Sequence, residues 1–329
     1  MKGTTVSSRQ GWIKSVQLLG PQILQNVEVP SPGDLGPDEV EVRLELAGIC
    51  GSDKPGFIHG VDKIGERPVG FPTHECVGTV VRSSGDQSLV GKRVIAIPNR
   101  DAGLGELFHA PIFKTHVLTS DLPMQTVILA QPLATVLAAL DRLGDVTGKN
   151  AAVLGLGPIG ISFGYVLRSM GVASLAGFDL ADRTGAPFTE LFDSIGHIPA
   201  EGQEFDIVVE AVGHDLEVVN TAIEATAYRG TALFFGVPDD DIYPFKFKRF
   251  FRKCLTMVAN VQPHWLTYLP RAENFLVDHP DLGAIVTDVV PVQEAHTAFE
   301  TAFVNPRPDR GKVLISVDAW TGAGAARAE

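Results

Sequence analysis

The stretch Ala151-Ala152-Val153-Leu154-Gly155-Leu156-Gly157-Pro158-Ile159-Gly160 decides the fold, together with the residues after it down to Phe178-Asp179. The opening apolar run is short enough for a buried parallel strand. The glycines come next without a gap. Residues from about Ile161 to Met170 read as a helix, and Gly171 ends it. A second strand rises through Leu175 and closes at the acid. Strand, glycine turn, helix, strand, acid is the order in which a βαβ unit aims free helix N–H groups at a phosphate. Gly155 permits the tight turn, Gly157 lets backbone approach a pyrophosphate, and Gly160 lets helix and strand pack closely. Pro158 and Ile159, between the last two glycines, belong to the same cofactor-facing segment. Asp179 comes 22 residues after Gly157, where a carboxylate accepts hydrogen bonds from the adenosine ribose. That favours NAD over NADP, whose 2′-phosphate would meet a like charge. Arg183, four residues on, works in the opposite direction.

Downstream, strands and helices keep alternating, as a doubly wound sheet requires. Phe205–Val209 reads as a strand leading to Glu210-Ala211-Val212-Gly213, and Leu216–Ala225 as a helix. Thr231–Phe235 is a strand ending at Gly236-Val237-Pro238, and Lys253–Ala259 a last strand. Upstream, the chain to about Met124 is rich in strands and glycine turns, a barrel-like pattern. Val16–Leu19, Ile23–Val27, Glu39–Leu46, Cys76–Arg82 and Arg93–Ile97 are its strands, with Pro55–Pro72 an irregular segment that can wall a substrate cleft. Val127–Leu143 is the first convincing helix, with Pro132 required near its N-terminus. Trp265–Val277 and Glu294–Phe303 are helices, and Ile285–Val289 and Lys312–Val317 strands.

A chain of 329 residues has room for two domains. Its net charge of −12 disfavours a nucleic-acid backbone as partner, because no large positive field is available. Phe245–Arg252 mixes aromatic and basic residues, and in so acidic a chain it reads as an amphipathic segment with solvated lysines. Mean hydropathy is +0.14, yet no uninterrupted apolar run has transmembrane length, so no membrane partner is expected. Met1–Gln10 lacks an apolar signal core, which makes the cytoplasm the expected compartment. Three cysteines, Cys50, Cys76 and Cys254, are neither a disulfide framework nor a four-cysteine zinc site.

Cys50 follows a strand and His74 precedes one, so both can converge on one rim. Thiolate and imidazole together suit zinc, with Glu75 alongside and Asp53 as an acceptor that fixes the His74 tautomer. A structural cysteine and histidine are the plain alternative.

Gly48–Asp53, Phe71–Val80 and Ala151–Asp179, in this order and spacing, resemble the zinc-dependent medium-chain alcohol and polyol dehydrogenases, among them sorbitol and glucose dehydrogenases. The similarity extends over Asp206–Gly213, Gly230–Pro238 and Ile285–Val317. It implies an α/β protein: a GroES-like β-barrel catalytic domain at 1–130 and 263–329, interrupted by a Rossmann-fold NAD-binding domain at 131–262. It makes Cys50 and His74 zinc ligands and brings Glu75 to the metal. It places Gln131, in Gln131-Pro132-Leu133-Ala134, where relatives carry a charged ligand. Ser52 matches the hydroxyl that takes the substrate proton, and Thr135 and Val237 match positions beside the nicotinamide. Two departures stand out. Pro55 occupies the position where the relay often ends on a histidine, leaving His59, Lys54 or solvent. Asn99–His116 has no cysteine, so one zinc per chain is expected, catalytic in position.

The implied activity is NAD-dependent interconversion of a secondary alcohol (polyol, sugar or cyclitol) and its ketone, in a homodimer or homotetramer paired around Thr256–Val261. Two rivals use the same scaffold: a zinc-free NAD(P)H-dependent quinone or enoyl reductase, against which Cys50, His74 and Glu75 argue, and a non-catalytic nucleotide-binding protein.

Overall fold

Alternating apolar and polar residues in the first third of the chain fold as strands of two sheets. β1 (Trp12–Gly20) and β2 (Ile23–Pro30) make an antiparallel ribbon. β3 (Glu39–Gly48), β4 (Glu75–Ser83), β5 (Arg93–Ala96), β6 (Leu107–Pro111) and β7 (Thr115–Val117) belong to a seven-stranded sheet. A short helix, α1 (Lys54–His59), lies between β3 and β4, and α2 (Met124–Val127) follows β7. The computed structural model describes residues 11–60, 67–185, 187–305 and 307–321. Met1–Gln10, residues 61–66 of the expected cleft wall and the tail beyond Thr321 therefore lie outside the described residues.

The second part of the chain is a six-stranded parallel sheet in the doubly wound order β10-β9-β8-β11-β12-β13. Its strands are β8 (Asn150–Leu154), β9 (Ser174–Phe178), β10 (Ser194–Gly196), β11 (Phe205–Glu210), β12 (Thr226–Phe234) and β13 (Thr256–Ala259). Helices α3 (Ala130–Leu140), α4 (Pro158–Ser169), α5 (Phe188–Leu191), α6 (Leu216–Ala225), α7 (Phe247–Lys253) and α8 (Trp265–Asp278) accompany it. The chain then returns through β14 (Val286–Pro291), α9 (Ala295–Phe303), β15 (Lys312–Ser316) and α10 (Asp318–Thr321). β14 and β15 complete the seven-stranded sheet, in the order β14-β15-β3-β4-β5-β7 with β6 also on β3. This is the barrel-like sheet plus doubly wound α/β architecture that the sequence predicts.

Two compact units result: Met1–Ile128 with Asp288–Pro306 and Val313–Glu329, and Leu129–Thr287 with Arg307–Lys312. The chain re-enters the first unit at Asp288. Within the second unit α8 packs on α3 and ties to its end through Arg271 and Tyr268, both bonded to Asp141. Asn260 also donates to the Ala138 carbonyl. Met124–Leu143 is long and apolar enough to cross a membrane by length and composition, but most of it is buried in the protein.

In the first unit, Val16, Val42, Leu44, Phe57 and Phe299 are core residues, with the Phe57 and Phe299 rings 5.3 Å apart. In the second, Ala152, Leu154, Phe178, Phe205, Val208 and Ala222 form one cluster. The aromatic-basic segment is helix α7. Lys246 and Arg249 pair with Glu224, as solvated charges do, but Lys253 is buried and donates to the Glu224 and Thr226 carbonyls.

One buried charge holds three strands together. Glu41 on β3 stands opposite Arg82 on β4 and His109 on β6. Arg82 clamps both carboxylate oxygens at 2.8 and 2.5 Å, and His109 Nε2 lies 3.2 Å away. Burial alone would raise the Glu41 carboxyl, but the Arg82 and His109 hydrogen bonds outweigh it and lower it from 4.5 to about 2. The stabilisation is therefore complete above the ordinary value and is lost as pH falls from there through about 2. Glu41→Gln is expected to cost about 2 kcal/mol at neutral pH, allowing for screening at the half-exposed arginine. In urea titrations the gap between variant and wild type should close between about pH 5 and pH 2. A gap constant over that range would refute the ion-pair account.

Candidate metal centre and nucleotide turn

β3 and β4 pair antiparallel so that Gly48 faces Glu75. Cys50, two residues past the end of β3, and His74, just before the start of β4, are therefore brought together. The ligand atoms of Cys50, His74 and Glu75 all lie within 4.8 Å of one another. Glu75 is fully buried, while Cys50 and His74 are partly exposed.

The turn Gly51–Asp53 sets the geometry. Asp53, itself buried, accepts the Cys50 N–H at 2.9 Å and faces His74 Nδ1 at 3.3 Å. One carboxylate thus orients both the thiol loop and the imidazole, as the sequence predicts for Asp53. Burial alone would lower the His74 imidazole, but Asp53 and Cys50 facing it hold it well above its ordinary value. A cation at this point is therefore favoured, whether proton or metal. Ser52 Oγ donates to Cys50 Sγ at 3.2 Å. The other cysteines are elsewhere: Cys76 is buried on β4, where burial pushes its thiol up, and Cys254 is exposed at the end of α7.

A second carboxylate escaped the sequence reading. Asp101 Oδ1 lies 4.0 Å from His74 Nδ1, and the Asp101 carbonyl accepts the Thr73 N–H at 2.8 Å. Arg100 and Asp101 both have φ of 56°, a left-handed pair that turns the loop back onto Thr73. No pattern in Asn99–His116 signals that reversal.

In the second unit the glycine turn takes the expected shape. Gly155 has φ +88°, and α4 starts at Pro158 with Gly157 as its cap. A Cβ on Gly160 would overlap the Gly155 carbonyl, whereas a Cβ on Gly157 would meet nothing within 4 Å. Gly160 therefore serves packing, and Gly157 leaves open space at a helix N-terminus, with Ile159 in the same first turn. Asp179 fixes this turn from the end of β9. Its Oδ2 accepts the Leu156 N–H at 2.8 Å and its Oδ1 the Ala181 N–H at 2.9 Å. Arg183 is committed internally: it donates to Asp179 at 3.1 Å and to the Pro308 and Arg310 carbonyls at 2.6 and 3.2 Å. Its guanidinium also lies over the Phe188 ring.

The remaining sequence-predicted residues fall in this unit. Gln131 is buried on α3, with Pro132 in the first turn where the helix tolerates it. Thr135 donates its hydroxyl to the Pro132 carbonyl at 2.6 Å. Val237 is exposed just past β12, after Gly236. Sequence reasoning passed over Glu210, whose buried carboxylate accepts the Val212, Gly213 and Gly236 N–H groups and so ties the turns after β11 and β12 together.

Comparisons with known proteins agree with this arrangement. Residues 36–109 match the alcohol dehydrogenase GroES-like domain. The chain is 29% identical over 301 residues to D-altritol 5-dehydrogenase of Agrobacterium fabrum, covering 79% of this chain and 88% of that one. It is 26% identical over 335 residues to sorbitol dehydrogenase of Rattus norvegicus, covering 85% and 89%. The fold of L-idonate 5-dehydrogenase from Escherichia coli superposes with a TM-score of 0.80 at 19% identity, over 94% of this chain and 99% of that one. With its two folds, its glycine turn and its cysteine–histidine–glutamate cluster, the chain belongs to the medium-chain dehydrogenase/reductase superfamily of NAD(P)-linked oxidoreductases and is related to the zinc-binding alcohol and polyol dehydrogenases.

Proposed function

We propose that the protein is a zinc- and NAD-dependent dehydrogenase that interconverts a secondary alcohol of a polyol, sugar or cyclitol and its ketone. The observation that carries this reading is the convergence of Cys50, His74 and Glu75 within 4.8 Å, in a chain that also holds the glycine turn and Asp179. A soft thiolate, an imidazole and a carboxylate are a donor set that zinc accepts. Gln131 is the neutral fourth donor in this reading. A bound zinc would supply Lewis-acid polarisation of the substrate oxygen.

The chain's own residues do the rest. Asp53 keeps the His74 proton on Nδ1, which leaves Nε2 with a lone pair for ligation. Ser52 Oγ takes the substrate hydroxyl proton and releases its own, now donated to Cys50 Sγ, to His59, Lys54 or solvent. The open backbone at Gly157 and the N-terminus of α4 receive the pyrophosphate. Asp179 keeps acceptor capacity for the ribose, and Arg183 is held away from a 2′-phosphate by the carbonyls it already serves. Thr135 and Val237 flank the nicotinamide. Similarity to enzymes named for altritol and sorbitol supports a polyol over a simple alcohol. β13 ends the parallel sheet with an exposed edge, which suits pairing of two copies there, and sedimentation at graded concentration reads that out.

The test is steady-state turnover of a panel of polyols and sugars with NAD and with NADP, on protein reloaded with zinc and assayed for metal. The expected result is bound zinc and a higher kcat/KM with NAD. A higher value with NADP overturns the role of Asp179. Turnover without any zinc binding replaces this reading with the zinc-free reductase, and NADH binding without turnover on any alcohol replaces it with the non-catalytic protein.

A further inference from the structure

In the second unit's sheet, β9 and β10 lie on one side of β8, and β11, β12 and β13 lie on the other. A dinucleotide crosses such a switch point with one mononucleotide on each half. Asp179, at the end of β9, marks the adenosine half. The opposite half carries an imidazole–carboxylate pair to which no role has been given. His214 Nδ1 lies 2.6 Å from Asp239 Oδ1. His214 follows the turn after β11, and Asp239 follows the turn after β12, so both stand at carboxyl ends of parallel strands.

The pair is built rather than incidental. His214 N–H donates to the Val237 carbonyl at 2.9 Å, and Asp239 N–H to the Tyr243 hydroxyl at 2.8 Å. Gly213 and Gly236 approach so closely that a Cβ on either would collide with the other's backbone. His214 itself has φ of 57°, a left-handed conformation held in place by these neighbours. Its side chain is 16% exposed, and Nε2 has no hydrogen-bond partner among the described residues. A carboxylate on Nδ1 holds the proton there, so Nε2 presents a lone pair and acts as an acceptor.

We propose that His214 Nε2 accepts a hydrogen bond from a hydroxyl of the second ribose, the one that bears the nicotinamide. Asp239 is a positioning residue that sets the His214 tautomer and ring orientation. This rests on the reading that the unit binds a dinucleotide. The chemistry suits a sugar hydroxyl, a donor that needs an acceptor, better than a phosphate oxygen, which has no proton to give.

Binding of AMP, ADP-ribose and NADH is measured by calorimetry on wild type, His214→Asn, Asp239→Asn and the double variant. Asparagine tolerates left-handed backbone but is too short to replace Nε2. In His214→Asn, ADP-ribose and NADH should weaken about five- to tenfold and AMP should be unchanged, because AMP has no second ribose. Asp239→Asn should weaken the same two ligands less, and the double variant should match His214→Asn alone. Melting temperatures check that each variant is folded. Equal loss for AMP, no loss for any ligand, or additive losses overturns the assignment. Should His214→Asn fail to fold, the AMP-against-NADH split in Asp239→Asn decides. A wild-type protein that binds none of the three removes the dinucleotide reading itself, a result distinct from failure of the His214 contact.

Discussion

Cys50→Ala is expected to abolish both zinc binding and turnover while leaving NADH binding within about twofold of wild type. Cys50 is the one thiolate-capable group in the cluster, and removing it leaves an imidazole, a buried carboxylate and the neutral Gln131 amide, a set without the soft anionic donor that holds zinc tightly. The glycine turn belongs to the other compact unit, so its ligand affinity is an internal control. Because a metal that binds only the folded state adds stability by mass action, chelation should lower the melting temperature of wild type and barely move that of Cys50→Ala. Ser52→Ala provides the contrast. It should keep zinc and NADH affinity and lower turnover by about 10²–10⁴, the usual worth of a positioned proton-transfer group. Zinc by mass spectrometry and activity on the same preparations check both. Full activity in zinc-free Cys50→Ala would remove the metal mechanism.

The second large effect separates two glycines that are three residues apart. Gly157→Ala should leave the melting temperature unchanged, since φ there is −73° and the added methyl meets no protein atom. It should weaken NADH by about 10–100-fold, the cost of pushing a charged pyrophosphate off one or more backbone donors. Gly160→Ala should damage both. Its Cβ overlaps the Gly155 carbonyl, so α4 must shift from β8, at about 1–3 kcal/mol. Equal stability losses in the two variants would contradict this division of labour.

The parts of the site that depend on strand pairing were legible in the sequence. Cys50 and His74 flank two stretches that read as strands, and antiparallel pairing of those strands brings them together. The glycine turn and Asp179 were legible for the same local reason. What depends on loop conformation was not. Asp101 reaches His74 only because consecutive non-glycine residues adopt positive φ. The irregular reading of Pro55–Pro72 fails at its start: Lys54–His59 is a helix, with Pro55 in the first turn, where no N–H is needed. β6, β7 and β10, each of five residues or fewer, are too short to show a period. β13 starts at Thr256, later than the expected strand, because α7 runs on to Lys253. Arg183 reads in the sequence as a partner for a 2′-phosphate, and its three oxygen partners are visible only in the fold.

The pairing of β15 with β3 has a consequence for how the protein is made. The end of β3 that delivers Cys50 is bordered by β4 on one side and β15 on the other, with Leu314 facing Gly48 and the Ile49 N–H donating to the Val313 carbonyl. β15 leaves the ribosome after every other strand of its sheet. Nearly all of the parallel-sheet unit, Leu129–Thr287, is synthesised before it. During translation the inserted unit can close first, and the host unit waits with the Cys50 edge of β3 unpaired. The cysteine rim is therefore fastened only after the inserted unit has been made, and loss of the chain after residue 311 would leave that edge open.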